Sequence, residues 1–448
     1  MKKKIVFAIN YFHPDVASTG QLMTELCLEL QRDFRITVIV AAPENEGKSG
    51  LWPFRRDRLE DIRIVRLKLP KLNKRSKWSR VRYIAAYFLL ALAALLRERG
   101  TDAIFTISTP PVLGGLIGAI GKRLKGCLHL YNVQDFNPEQ AEAIGYARGK
   151  AIYRIARRLD NWTCGTADHV VVVGRDMEET LAARLNGARL PAHSVIPNWI
   201  DEREIVPLGR DHPEVERFRL AHGIRDCFVV MYSGNIGLYY DLENLFDTVE
   251  RYRGRPDVRF VFIGDGAVRP ALERRAKEGG LDNVLFLPYQ PKDRLRITLN
   301  AADAHLVVSR KGIKGVSVPS KIYGVMAAGK PVIGVLEKGS EAEMIIAAGG
   351  CGAIVEPGDY AAFDAAVDAF SRMSPDSLAR IGLQGRAYLD RHLRKSSSIE
   401  KYGRLLAGMI NRERGHSDDG FGHRRDQGQS GGIDPFPGIA AESNATTR

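Results

Sequence analysis

The sequence predicts an α/β protein of two domains, and three observations carry that prediction. Short apolar runs of buried parallel-strand type alternate with helical patterns, beginning with KIVFAIN at residues 4–10. Such alternation marks strands joined by crossover helices. The pattern starts afresh in the middle of the chain, where FVVMYS at 228–233 is followed by a glycine turn and a helix start at Asp241. Finally, 448 residues suit two domains of ordinary size, each able to bury its own core.

The elements follow in order. The N-terminal MKKKIVFAINYF has a short apolar run that passes straight into a polar loop without a small-residue cleavage pattern, so a strand is expected rather than a secretion signal. The loop YFHPDVASTG leads to a helical pattern from Gln21 to Leu30 and a second strand from Arg35 to Ala41. This first loop lacks G-x-G-x-x-G, which leaves a nicotinamide-binding site unsupported. DAIFTIS, 102–108, is a strand whose exit is fixed by Pro110 and Pro111, with Gly114 and Gly115 allowing close packing of the next helix. The strand at 127–133 runs into QDFNPE, 134–139. Open α/β sheets place ligands at the carboxyl ends of their strands. Asp135 is therefore the first candidate for a polar group at a reacting centre and Glu139 the second; a capping aspartate in a turn is the alternative. After VVVV, 170–173, Asp176 is placed to cap the next helix. Pro197 and a loose polar run to about Arg217 fit a linker.

The second half supplies GNIGLYYD after its first strand, RFVFIGDG at 259–266, VLFLPYQP at 284–291 and AHLVVSR at 304–310. The last of these opens onto the stretch around which the chain is organised, Gly312–Gly334, GIKGVSVPSKIYGVMAAGKPVIG. Glycines and a proline keep its loop open, a helix is expected from Ser320 to Ala328, and a buried strand from Pro331 to Val335. Ser320 stands at the N-cap, so free N–H groups point back at the loop and favour an anion, most often a phosphate. Lys321 lies in the first turn, where a cation is disfavoured unless an anion sits beside it. A βα loop with a surface lysine is the plainer alternative.

Five scattered cysteines without a C-x-x-C argue against a disulfide framework or a zinc site and fit a reducing cytoplasm. The net charge is +13, and residues 48–82 hold 13 basic and 3 acidic residues. An apolar run, Tyr83–Leu96, follows; as fourteen residues of helix it spans about 21 Å, short of the roughly 30 Å hydrocarbon core. The two readings are a buried helix behind a solvated basic loop, and a membrane-surface patch in which Trp52, Phe54, Trp78 and Tyr83 serve the interface. The one-sided charge favours the patch. Nucleic acid is the rival partner, but no RNA- or DNA-binding motif accompanies the charge.

VPSKIYGVMAAGKPVI, residues 318–333, resembles the donor-site segment of glycosyltransferase family 4, the retaining GT-B enzymes, and most closely the branch that builds bacterial O-antigen, colanic acid and capsule repeats. SVIPNWID at 194–201 is similar to that family's domain-closing segment, with Trp199 for the usual glycine, and GSEAE at 339–343 and CGAIVEPGD at 351–359 complete its usual order. The family's Glu-x7-Glu pair is absent, its positions being Val316 and Gly324. The resemblance implies a GT-B fold of two Rossmann-like domains facing a central cleft. An acceptor-side domain is expected over 1–203, a nucleotide-sugar-binding domain over 204–380, helices crossing back to the first domain over 381–412, and a disordered tail over 413–448.

The resemblance also implies that Gly20 approaches the donor diphosphate and acceptor, and that Gly234, Asn235 and Gly237 bring backbone to the diphosphate. It sets Tyr289 near the nucleobase, and Gly315, Val316, Val318, Pro319, Ser320 and Tyr323 around the donor. Relatives carry Arg and Lys in the loop that here reads GNIGLYYD, so Lys321, with Lys311 or Lys314, is expected to supply the positive charge. Lys321 and Asp135 are the catalytic candidates. The implied reaction is sugar transfer with retention, without metal or cofactor, from a nucleotide sugar, UDP-linked by preference, to a polyprenyl-diphosphate-linked acceptor at the inner face of the cytoplasmic membrane. The protein is accordingly expected in the cytoplasm, peripherally attached through the basic segment 48–82 and the helix 83–96. A 2-epimerase-type reaction on a nucleotide sugar, or a catalytically weak nucleotide-sugar-binding protein, are the alternatives.

Overall fold

The computed structural model of the chain describes residues 2–15, 17–43, 52–73, 76–145, 150–185 and 190–418. Its first half runs β1 (Lys4–Ala8), α1 (Ser18–Leu30), β2 (Arg35–Ala41), β3 (Phe54–Leu59), β4 (Ile62–Leu67), α2 (Lys77–Arg97), β5 (Ala103–Ile107), α3 (Leu113–Lys125), β6 (Leu128–Val133), α4 (Asn137–Ala143), α5 (Lys150–Thr166), β7 (His169–Val172), α6 (Arg175–Leu185) and β8 (His193–Val195). The second half runs α7 (Pro213–Ala221), β9 (Phe228–Ser233), α8 (Leu242–Arg251), β10 (Val258–Ile263), α9 (Arg269–Glu278), β11 (Val284–Leu287), α10 (Leu295–Asn300), β12 (Ala304–Val308), α11 (Lys321–Ala327), β13 (Val332–Val335), α12 (Glu341–Gly349), β14 (Gly352–Val355), α13 (Tyr360–Ser371) and α14 (Pro375–His392), before α15 (Lys395–Asp418).

The strands form two sheets, ordered β3-β4-β2-β1-β5-β6-β7-β8 and β11-β10-β9-β12-β13-β14. Apart from the antiparallel β3–β4 pair, the strands of both sheets are parallel. Their apolar runs explain this: β1 is buried at every residue, as a strand covered by helices on both faces must be. Right-handed crossovers put α1 on one face of the first sheet and α2, α3, α5 and α6 on the other. α15 joins α1, with Tyr402, Leu406 and Ile410 buried in one core with Phe7 and Phe105. The direction of winding reverses between β1 and β5 and again between β9 and β12. The loops at these points are where an open α/β sheet holds ligands.

The basic segment is not a loop. Residues 54–67 form a β-hairpin at the edge of the first sheet, turning at Glu60 with φ 49°. Part of its charge is structural: buried Arg66 pairs with Asp57 at 2.7 Å, and Arg63 with Glu98. Residues 48–51, 74 and 75 of the segment, and the tail beyond 418, lie outside the described residues. The apolar helix is also longer than the sequence suggests. α2 has 21 residues, about 31 Å at 1.5 Å per residue, and is long and apolar enough to cross a membrane. Ser76 caps it, accepting from Ser79 N, and this start draws Trp78 and Arg80 into the helix. One face packs on the sheet through Tyr87, Ala91, Ala94 and Leu95. The last helix runs from Lys395 to Asp418, past residue 412, where the crossing helices were expected to give way to a disordered tail.

Candidate active site

The organising stretch folds as its residues require. β12 ends at Val308, the loop 309–320 follows, and α11 begins at Lys321. Gly329, with φ +62°, adopts the left-handed conformation that ends the helix. Ser320 occupies the N-cap and its side chain makes no capping bond, while Ile322 N donates to Pro319 O and Tyr323 N to Ser320 O, each at 3.3 Å, so the helix start is largely satisfied by its own loop.

Across the stretch lie two glycine loops. The turn after β9 and the turn after β10 pack backbone on backbone: Gly234 N donates to Ile263 O at 2.8 Å, and Ile236 N to Asp265 O at 2.8 Å. A Cβ at Gly264 would stand 1.9 Å from Gly234 O, and its φ is +138°. Only glycine permits that approach. Gly234 in turn supports Lys321, whose Cε lies 2.7 Å from where a Gly234 Cβ would be. The lysine Nζ lies 3.9 Å from the centroid of Tyr240 and 4.9 Å from that of Tyr232. Aromatic faces attract a cation, but burial opposes it, and desolvation lowers the Lys321 pKa to about 7. Tyr232 is held by its hydroxyl, which donates to Asn235 O at 2.6 Å. Asn235 is exposed, and Tyr289 stands exposed beside Asp265.

The first sheet contributes Asp135. Ser108 Oγ accepts from the N–H groups of Gln134 and Asp135 at 3.1 and 3.2 Å and so fixes the end of β6. This loop pairs with the organising stretch: Phe136 N donates to Val316 O at 2.9 Å, and Asp135 and Ser317 form an isolated antiparallel bridge. Burial raises the Asp135 pKa to about 6, against the opposing hydrogen bonds from Gln140 and Ser317. Gln140 Nε2 is 3.3 Å from its Oδ1. Asp135 is also near enough to push up the pKa of Tyr240, after burial. Tyr240 thus touches Lys321 and feels the charge of Asp135.

Other candidates sit elsewhere. Val316 and Val318 are buried among Tyr131, Val133, Phe136 and Met177 of the first half, so their side chains serve its core. Glu139 pairs with Arg157 at 2.8 Å and Arg184 at 3.5 Å. Gly20 lies buried within α1, where a Cβ would come 3.1 Å from that of Tyr11. Gly237 is buried against Asn235, and Tyr323 is buried. Pro319 is half-buried in the loop. Lys314 Nζ donates to Lys338 O at 2.9 Å, while Lys311 is exposed.

Asp176 was expected to cap its own helix. Instead Oδ2 accepts from Gly315 N at 2.9 Å and Glu341 N at 3.1 Å, both from the second half. Arg175 reinforces the joint, its backbone N–H and Nε donating to Glu341 Oε2 at 2.7 and 3.0 Å. Glu341 belongs to the GSEAE segment, whose place in the order of motifs was legible and whose partner was not. Burial holds the Asp176 carboxyl above its ordinary range, and Glu341 adds to the effect.

Among the described residues no group of three or more His, Cys, Asp or Glu side chains is arranged to hold a metal ion. A cavity of about 660 Å³ lies away from these loops, beside α1 and α15, and Lys395 and Asp201 in its wall pair with each other at 2.7 Å. The candidate groups around the paired loops are a lysine whose pKa burial lowers to about 7, a carboxyl raised to about 6, and glycine turns packed backbone on backbone.

Residues 215–387 match the family of glycosyl transferases group 1, and residues 19–199 match the glycosyl transferase 4-like domain. The chain is 28% identical over 410 residues to the probable glycosyltransferase WbjE of Pseudomonas aeruginosa, covering 91% of this chain and 98% of that protein. It is 25% identical over 341 residues to the putative colanic acid biosynthesis glycosyl transferase WcaI of Escherichia coli K12, covering 73% of this chain and 81% of that protein. The structure of HepE from Anabaena, solved with UDP and glucose, superposes with a TM-score of 0.67 at 16% identity, over 90% of this chain and 99% of that one.

Proposed function

The chain belongs to the family 4 glycosyltransferases and has their GT-B fold, and on that premise we propose that it transfers a sugar, with retention, from a nucleotide sugar to a polyprenyl-diphosphate-linked acceptor in cell-surface polysaccharide synthesis. The carrying observation is the pairing of loops 134–137 and 315–317, which sets Asp135 of the first half against the stretch that leads into Lys321 and its contact with Tyr240. UDP is the favoured nucleotide, in keeping with the UDP bound in the HepE structure.

In this reading the donor diphosphate lies between the glycine loops and the start of α11. As the sugar–phosphate bond breaks, negative charge grows on the leaving diphosphate. Lys321 stabilises it, and in a partly dry site such a contact counts for more than in water. The departing sugar becomes oxocarbenium-like, and Asp135, on the opposite loop, is the polar neighbour that steadies it. Retention follows when the acceptor hydroxyl attacks from the face the diphosphate leaves, its proton passing to the phosphate oxygen.

The acceptor comes from the membrane. α2 carries an outward stripe of Trp78, Val81, Ala85, Leu89 and Leu96, with exposed Arg80 and Arg82 near its start. Because its other face is covered by the sheet, the helix lies on a bilayer rather than across it. This gives a cytoplasmic enzyme held peripherally at the inner face of the membrane.

The test is titration with UDP, GDP and ADP sugars, followed by product analysis with a polyprenyl-diphosphate acceptor. Base-selective binding and a product of unchanged anomeric configuration are expected. An inverted product refutes the mechanism, a C2-epimerised sugar formed without acceptor refutes the transferase reading, and binding of no nucleotide sugar refutes both.

A further inference from the structure

α5 carries apolar residues on both of its faces. Inward, Tyr153 and Cys164 are buried beside polar groups. Asp160 is buried, accepts from Tyr131 Oη at 2.8 Å and pairs with Arg184 at 2.7 Å. Arg157 reaches Glu139 at 2.8 Å and Glu142 at 2.6 Å, and Thr163 packs on Gly115. Its outward residues are apolar. Ile152, Ile155, Leu159 and Trp162 follow one another at spacings of three, four and three, which places them in one row, and they are 57, 59, 42 and 43% exposed. A helix on a sheet ordinarily turns such a row inward. Contiguous large apolar side chains left in water mark a surface that meets something apolar.

A second row runs beside the first. Lys150, Arg154 and Arg158, spaced by four, are all exposed. The only acid of α5 is the buried Asp160. The outward face therefore combines apolar and basic groups without an acid, as does a helix seated at the headgroup–acyl boundary of an anionic bilayer. The surroundings agree. α3 packs against both α2 and α5, and Gly115 and Gly121 let it sink between Thr163 and Leu95. The three helices cover one face of the first sheet, and each flanking helix presents an apolar stripe with basic residues.

We infer that α5 is a second lipid-docking helix, which settles with α2 onto a bilayer of anionic headgroups. This rests on the membrane-facing reading of α2 and adds an element that neither its composition nor the basic segment 48–82 announced. Through Arg157 and Glu139, α5 is tied to α4, which begins two residues after Asp135. Docking α5 thus sets the height of the reacting loop above the lipid. A second copy of the chain fits less well, since a two-fold contact through this face brings one basic row against the other.

The experiment is co-sedimentation of the full chain with phosphatidylcholine vesicles containing or lacking phosphatidylglycerol, alongside light scattering. Wild type is expected to bind the anionic vesicles. The double variant Ile155→Glu/Leu159→Glu is expected to weaken binding by about tenfold or more, and Arg154→Glu/Arg158→Glu likewise, while both keep wild-type affinity for the nucleotide sugar, which reports intact folding. Variants of α2, Val81→Glu/Leu89→Glu, provide the separate arm. If these lose binding while both α5 variants keep it, the α5 inference is overturned and the reading of α2 stands. If wild type binds no vesicle, both fail. A wild-type dimer that the α5 variants convert to monomer assigns the face to a second copy and overturns the lipid assignment.

Discussion

Replacing Lys321 by methionine keeps the length of the side chain and removes its ammonium. The consequence for donor binding follows from the lysine's surroundings. Between Tyr232, Tyr240 and Gly234 its pKa falls to about 7, with desolvation as the cause. A donor diphosphate beside it favours the charged form and raises that pKa. Binding then takes up a proton whenever the free enzyme lacks one. With a free-state pKa of about 7 and a fully protonated complex, uptake is about 0.1 proton at pH 6 and about 0.9 at pH 8. The sign is definite: affinity is highest below pH 7, and the dissociation constant rises about tenfold per pH unit above it until the pKa of the complex is reached. The phosphates of a nucleotide sugar are diesters that exchange no proton in this range, so the uptake belongs to the protein. Calorimetry in buffers of different ionisation enthalpy measures it directly. Uptake that stays flat between pH 6 and 8, or whose rise toward pH 8 is unchanged in Lys321→Met, refutes the placing of the diphosphate at this lysine; uptake through Asp135 instead fades toward pH 8 as that carboxyl, with its pKa of about 6, stays ionised.

Three further outcomes follow from the geometry. Asp135→Asn is expected to lower kcat by about 10² or more with little change in donor affinity; calorimetry beside steady-state kinetics separates the two, and an unchanged kcat removes Asp135 from the reacting centre. Gly264→Ala sets a methyl group 1.9 Å from Gly234 O at a φ of +138°, and a loss of at least about 2 kcal/mol in denaturant unfolding is expected; wild-type stability means that the two turns do not pack as described. Asp176→Ala removes the acceptor shared by Gly315 N and Glu341 N, at a cost of about 1–3 kcal/mol for the stranded groups, and is expected to raise the donor KM more than it lowers kcat; equal effects on both mean that Asp176 does not hold the donor loop.

The alternation of apolar runs and helical patterns was readable because parallel strands covered on both faces must be apolar at nearly every position. β2 lies at Arg35–Ala41 and β9 at Phe228–Ser233, where the sequence put them. The hairpin at 54–67 escaped notice for a physical reason. Its turn, Leu59-Glu60-Asp61-Ile62, lacks the Asn-Gly or Asp-Gly signal, and Glu60 takes the left-handed conformation without being glycine. Its arginines read as a membrane-facing patch, or else a solvated loop, whereas Arg66 is buried by an ion pair to Asp57, a partner nine residues away that the pattern does not reveal. Lys321 and Asp135 stood out in the sequence as candidates from their places at a helix start and a strand end, and the fold sets the loop of Asp135 against the stretch that leads into Lys321. Tyr240 did not stand out, because its role comes from a turn that brings its ring over a lysine 81 residues further on. Asp176 was misread for the same reason: a carboxylate in a first turn fits a local cap, and only the packing of the two halves supplies its other donors.

The burial of Val316 and Val318 in the first half has a consequence for exchanging parts between related enzymes. The loop proposed to hold the donor also completes the neighbouring core, so the covalent boundary near the hinge is not where the protein divides energetically. A chimera joined there, with a second half taken from a relative, inherits whatever side chains that relative places against Tyr131, Phe136 and Met177. A smaller or polar pair leaves a hole worth about 1.5 kcal/mol or more for each valine, and a bulkier pair wedges the cleft open. On the proposed donor site, preference is portable only as a cassette, in which the segment 312–320 travels with the first-half residues that receive it.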